Sequence, residues 1–157
     1  MREAFGSVWT IQIILIFMIL INAYLAFSVN YTKAFRIKNN IISIIETQEG
    51  FTGMAKEKTE AIMLDTGYNV SFSNIVVPGC QEGGYKAIQN NAGGYCVKFH
   101  RTGTSSGYYS VKTYISIDIP ILGKILGAFP NTFAIKGETK TIYSSKVNES
   151  ATELESY

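Results

Sequence analysis

The chain has 157 residues, room for one membrane segment and one small domain, and a net charge of +2 from 14 Lys and Arg against 12 Asp and Glu. Those charges are dispersed, so the basic block of a nucleic-acid binder is absent. Two cysteines and one histidine exclude the usual structural zinc sites, which need about four ligands.

The first element is a membrane segment. No charged residue occurs from Ala4 to Thr32, and Val8 to Val29 (VWTIQIILIFMILINAYLAFSV) is almost wholly apolar. About 20 such residues span a bilayer core. Trp9 lies near one end, Tyr24 and Tyr31 near the other, where interfacial aromatics belong. Gln12 and Asn22 are its two strongly polar side chains. Either both sit close enough to the interfaces to be solvated, or both hydrogen-bond to a neighbouring helix in the membrane. A cleavable secretory signal would use Ala26 and Ser28 as the small residues at its cut. The apolar run is longer than a signal's, and Arg2 is offset by Glu3, so the segment reads as a retained anchor.

Beyond Val29 the helical pattern continues. Ala34, Ile37, Ile41 and Ile45 repeat at steps of three and four, with Phe35 and Ile42 alongside. No Pro or Gly falls between Ser7 and Gly50, and Gly50 is placed to end the last turn. One helix from about Val8 to about Glu49 is predicted, roughly 60 Å long and twice the bilayer core. Its second half supplies Ile37, Ile41 and Ile45 as a contact stripe for whatever packs on it.

A shorter helix follows, from about Thr52 to Leu64. Thr52 is placed to cap it, Met54, Ala55, Lys58, Ala61, Ile62 and Leu64 form a partial apolar face, and Asp65-Thr66-Gly67 reads as a stop and turn. The period then changes to two. Strands are expected at YNVSFSNIVV, YCVKFHR, SVKTYISIDI and TFAIKGETKTIYSS, with Gly137 marking a bulge in the last. In the third, Val111, Thr113, Ile115, Ile117 and Ile119 take one face, and Ser110, Lys112, Tyr114, Ser116 and Asp118 the other. Four strands with one apolar face make an antiparallel sheet that needs a cover. The long helix is the obvious one, so the fold class is α+β. The apolar run PILGKILGAFPN, bounded by Pro120 and Pro130, separates the last two strands. The divisions are a short N-terminal segment (1–7), a transmembrane helix (8–29), its extension (30–49), an α+β domain (50–145) and a flexible tail (146–157).

Cys80 and Cys96 flank CQEGGYKAIQNNAGGYC, read as a loop rich in Gly and Asn. Outside the cytoplasm they form a disulfide, and in a reducing compartment they remain two thiols. Lys33, Arg36 and Lys38 follow the membrane segment, and by the positive-inside rule would hold the domain in the cytoplasm. No catalytic constellation is visible. His100 alternates with Val97 and Phe99, which puts it on the solvent face of a strand, and neither Asp65 nor Asp118 has a spacing relation to it. The Gly-rich stretches lack the Lys-Ser/Thr of a phosphate loop. The sequons NYT, NVS and NES have meaning only in a eukaryotic secretory host. No enzyme activity, cofactor or metal is expected.

Two stretches carry a resemblance. REAFGSVWTIQIILIFMILINAYLAFSVNYTKAFRIKNNIISII resembles the N-terminal helix of TadE-like minor pilins (pseudopilins) of tight-adherence, type IV pilus-like systems. YYSVKTYISIDIPILGKILGAFPNTFAIKGETKTIY resembles their closing strand, proline-bounded loop and final strand, and the two cover about half of the chain. The resemblance implies a single-pass protein of the cell membrane with its α+β domain outside, a disulfide between Cys80 and Cys96, and other pilin-like subunits and pilus assembly machinery as partners. It implies prepilin-type processing between Gly6 and Ser7. The fifth residue after that cut is Ile11, where such pilins usually carry Glu, and Gln12 stands one step later. The expected role is structural, in assembly of a pilus or secretion-related surface structure. The alternative is a monomeric, membrane-anchored extracellular binding or sensor module on the same fold.

Overall fold

The computed structural model describes residues 2–68, 70, 80, 82–116 and 132–155. The expected strand at YNVSFSNIVV lies almost wholly outside these residues, as do Ile117, Asp118, Ile119 and the proline-bounded run.

Helix α1 spans Arg2–Thr47 without a break. From Val8 through Val29 its apolar side chains lie on the protein's outer surface, Phe17 and Val8 each at 62% exposure. From Ala34 onward the picture inverts: Ala34, Ile37, Ile41 and Ile45 are all buried. The helix ends in a Schellman arrangement, with the Gly50 amide donating to the Ile45 carbonyl (3.0 Å) and the Glu49 amide to that of Glu46 (3.3 Å). The left-handed residue is Glu49 (φ 57), one position before the expected glycine. Gly50 follows at φ 156 and lies so close to α3 (Lys146–Glu155) that a Cβ would stand 2.5 Å from the Ser150 hydroxyl.

Helix α2 spans Gly53–Thr66. Thr52 caps it by accepting from the Ala55 amide (3.3 Å), and Gly67 closes it in the left-handed conformation. Its buried face is Ala55, Thr59 and Met63, with Ile62 half-buried against the core. This corrects the expected face: Met54 and Leu64 are both 60% exposed. Residues 55, 59 and 63 share one side at steps of four, and 54 and 64 fall outside it.

Among the described residues five strands follow: β1 (Lys86–Asn90), β2 (Gly93–Gly103), β3 (Ser106–Ser116), β4 (Thr132–Glu138) and β5 (Ile142–Tyr143). They form one antiparallel sheet in the order β1-β2-β3-β4, with β5 beside the start of β3. The sequence pattern alone reads the residues of β1 as loop. Ile88 draws it into the core, and the Asn90 side chain accepts from the Ala92 and Gly93 amides (3.0 and 2.9 Å), which builds the turn into β2. Between β4 and β5, Thr139 exchanges two 2.9 Å bonds with the Tyr109 backbone, so β3 stays paired across the interruption.

Helix α1 packs on β3 and β4 and α2 packs on α1. The core between helices and sheet joins Ile37, Ile41, Ile45, Phe51 and Met63 to Tyr95, Val97, Tyr109 and Val111. Gly137 makes no bulge, since the β3–β4 register runs evenly through Val111↔Gly137. It serves a close approach instead: a Cβ there would lie 2.7 Å from Ile42 Cδ1 and from Lys38 Cδ. The segment read as a flexible tail is helical over Lys146–Glu155, our α3. Val147, Ala151 and Leu154 recur at steps of four and three and are buried, and Ser150 hydrogen-bonds to the Tyr109 hydroxyl at 2.6 Å. Ser144 accepts from the Lys146 and Val147 amides and donates to Glu49, which ties α3 to the end of α1.

Candidate functional site

Three features carry chemistry or contact: the exposed half of α1, the disulfide, and the sheet face turned away from α1. The first is one helix long and apolar enough to cross a membrane, with its apolar window entirely outside the protein's own core. Gly6 and Ser7 lie in its first turns. Gln12 and Asn22 are exposed along it. The Asn22 amide donates to the Met18 carbonyl one turn back (2.7 Å), so one of its two N–H donors is satisfied within its own helix.

Cys80 and Cys96 are joined, with Cα atoms 5.8 Å apart, inside the usual span for a disulfide. The bridge pins the chain ahead of β1 to the second strand. The Tyr114 hydroxyl lies 3.1 Å from Cys96 Sγ and is fully enclosed. Burial pushes its pKa up to about 12. Tyr68 closes the same end of the sheet: its hydroxyl donates to the Gly94 carbonyl (3.0 Å) and accepts from the Tyr114 amide (2.9 Å). Burial is also the main cause that raises its pKa above the ordinary phenol value. Ser110 and Tyr114, which the alternation places on the sheet face opposite Val111, are both buried: Tyr114 lies against Cys96, and Ser110 lies between His100 and Glu138.

The rest of that face is polar and aromatic. The Lys112 ammonium lies 3.8 Å from the Tyr85 ring centre, and Lys98 stands 5.9 Å from it. Lys136 and Glu138 pair at 2.8 Å. Their hydrogen bond raises the lysine's pKa and lowers the carboxylate's. His100 stacks flat on Tyr108, with ring centres 4.6 Å apart.

Sequence reasoning left His100 without a nucleophile or an acid nearby. The strand register supplies both, a relation invisible until β2, β3 and β4 are aligned. Ser110 Oγ lies 3.0 Å from His100 Nε2 and donates to Glu138 Oε1 at 3.2 Å. The order differs from that of a nucleophilic triad, where the imidazole stands between hydroxyl and carboxylate. Here the serine stands between them. When its one proton goes to Glu138, the row is completed by the His100 tautomer that carries hydrogen on Nε2 and donates to Ser110, a form in which that nitrogen holds no lone pair. The Ser110 hydroxyl is also fully enclosed. Burial is the main cause that holds the His100 pKa below the ordinary imidazole value, with Lys98 adding to it and Glu138 opposing. Among the described residues, no cluster of three His, Cys, Asp or Glu could hold a metal ion.

Known family models, characterised proteins and solved structures give no match to this chain.

Proposed function

We propose that this protein is a membrane-anchored structural subunit of the minor-pilin kind, which takes part in assembling a pilus or secretion-related surface structure. The carrying observation is α1: one unbroken helix, almost wholly apolar from Val8 to Val29 with its large apolar side chains exposed there, that becomes the core helix of an α+β domain from Ala34 to Ile45. A helix of this form anchors a subunit before assembly and offers its side to like helices afterwards. The joined Cys80–Cys96 pair supports a domain on the non-reducing side of the membrane. TadE-like pilins are the family whose sequence pattern it resembles.

Cross-linking in intact membranes, followed by mild extraction, tests this reading. Assembly gives species larger than the monomer, joined through α1 and containing other single-pass subunits with a similar helix. A protein recovered only as a monomer would mean that the anchored binding or sensor module is the better description.

A further inference from the structure

Where α1 leaves its apolar stretch, an open groove of about 560 Å³ lies between it and the last turn of α2. One wall is the α1 row Ser28, Thr32, Arg36 and Asn40 with Lys33 beside it, and the other is Asp65 and Thr66. Lys33 also lines a second, smaller concavity on its other side, with Tyr68 and Tyr114. The groove is polar, carries two cations and one carboxylate, and opens at the foot of the domain.

Its height matters. At 1.5 Å per residue, Lys33 stands about 6 Å above Val29 and Arg36 about 10 Å above it. The headgroup layer of a bilayer is about 5–8 Å thick on each side. Helical Cα–Cβ bonds lean towards the N-terminus, which here is the membrane side, and long basic side chains extend to reach polar surroundings. Both cations are thus delivered to the depth of lipid phosphates. Thr32 and Thr66 spend their hydroxyl protons on the Ser28 and Ile62 carbonyls (both 2.8 Å). That leaves Lys33, Arg36, Asn40 and Ser28 as the donors that line the groove. Among the described residues, no ion pair joins Asp65 to either cation.

The geometry points to a binding site for the headgroup of an anionic glycerophospholipid from the bilayer that holds α1. The lipid phosphate pairs with Lys33 and Arg36, a bidentate partner for phosphate oxygens. A headgroup hydroxyl donates to Asp65. The net charge of the lining, +1 from Lys33 and Arg36 against Asp65, matches the single negative charge of phosphatidylglycerol rather than a zwitterion. This inference rests on membrane anchoring and is independent of filament assembly. It also gives Lys33 and Arg36 an occupation on the side where the positive-inside rule does not expect them.

Native mass spectrometry of the full chain in detergent tests it, with equal amounts of phosphatidylglycerol, phosphatidylethanolamine and phosphatidylcholine supplied together. The expected result is preferential retention of phosphatidylglycerol. Lys33→Gln and Arg36→Gln should each cut that preference about fivefold, the equivalent of one basic residue at an anionic surface. Lys136→Gln, on the far face of the sheet, should leave it intact. Equal retention of the three lipids by the unaltered chain overturns the proposal, without recourse to any variant. Retention of phosphatidylethanolamine at the level of phosphatidylglycerol overturns the charge argument. Displacement of the lipid by millimolar inorganic phosphate would show a soluble phosphate site instead.

Discussion

The Thr113 hydroxyl donates to the carbonyl of Ala34 at 3.0 Å, a buried bond from the centre of the sheet to the backbone of α1. It falls where the helix passes from exposed to buried, and it fixes the height at which α1 meets β3. Thr113→Val keeps the branched shape and removes the bond. The Ala34 carbonyl retains its partner within the helix, so the cost should be about 1 kcal/mol. Thr113→Ala should cost more, because it also opens space in the core. Urea unfolding of the full chain in detergent measures both. A neutral Val variant would show that packing alone sets the docking height.

Ile41 and Ile45 are buried against the sheet. Ile41→Asp or Ile45→Asp places a carboxylate in that apolar contact. Each should cost several kcal/mol and abolish cooperative unfolding of the domain while α1 stays in the membrane. An unaltered unfolding curve for either variant would falsify the docking of α1 on the sheet.

Cys80 and Cys96 are 16 residues apart and bonded, which in the chain-entropy model stabilises the fold by about 3 kcal/mol. Cys80→Ser, Cys96→Ser and the double variant should be destabilised alike, since any of them loses the whole bond. In intact cells, neither cysteine should react with a thiol reagent unless a reductant is supplied. Thiols that label without reductant, and only after lysis, would put the domain in the cytoplasm.

His100 makes stability depend on pH. Its pKa is lower in the folded chain than the ordinary 6.5. As pH falls below about 6.5 the unfolded chain therefore takes up the proton first, and stability drops. The loss continues until the folded imidazole is protonated as well. Glu138 is also depressed, but from an ordinary value of 4.5, so its contribution is lost at lower pH. Urea midpoints at about pH 8, 6.5 and 5 separate the two. His100→Gln should remove the fall between the last two points. Parallel falls in the parent and the variant would assign that fall to another group.

Much of this architecture could be read from local pattern. The stripe Ala34, Ile37, Ile41 and Ile45 announced both a continuing helix and its buried side, because a helical face repeats within four residues. Thr52 and Gly67 announced the ends of α2. What escaped depends on partners distant in sequence. The segment Lys86–Asn90 carries one strongly buried side chain, Ile88, too weak a signal until β2 is beside it. The helix Lys146–Glu155 has a modest apolar face and gains its place from Tyr109 and Glu49. Gly137 looked like a strand irregularity, and only the position of Ile42 and Lys38 shows that the missing side chain makes room for α1. The row His100, Ser110, Glu138 needs the register of three strands, and the groove beside Lys33 and Arg36 needs α2 folded back on α1.

Because α1 has no break between Val29 and Ala34, the domain has a fixed compass bearing about its anchor. Each residue of helix turns the chain by about 100° and raises it by about 1.5 Å. One residue inserted in that interval would swing the sheet about a quarter-turn relative to Trp9, Asn22 and whatever those side chains meet, with scarcely any change in height. Seven inserted residues, close to two full turns, would nearly restore the bearing while lifting the domain about 10 Å. Angular phase and distance from the bilayer are thus separate variables in this molecule, and the length of one helical interval sets both.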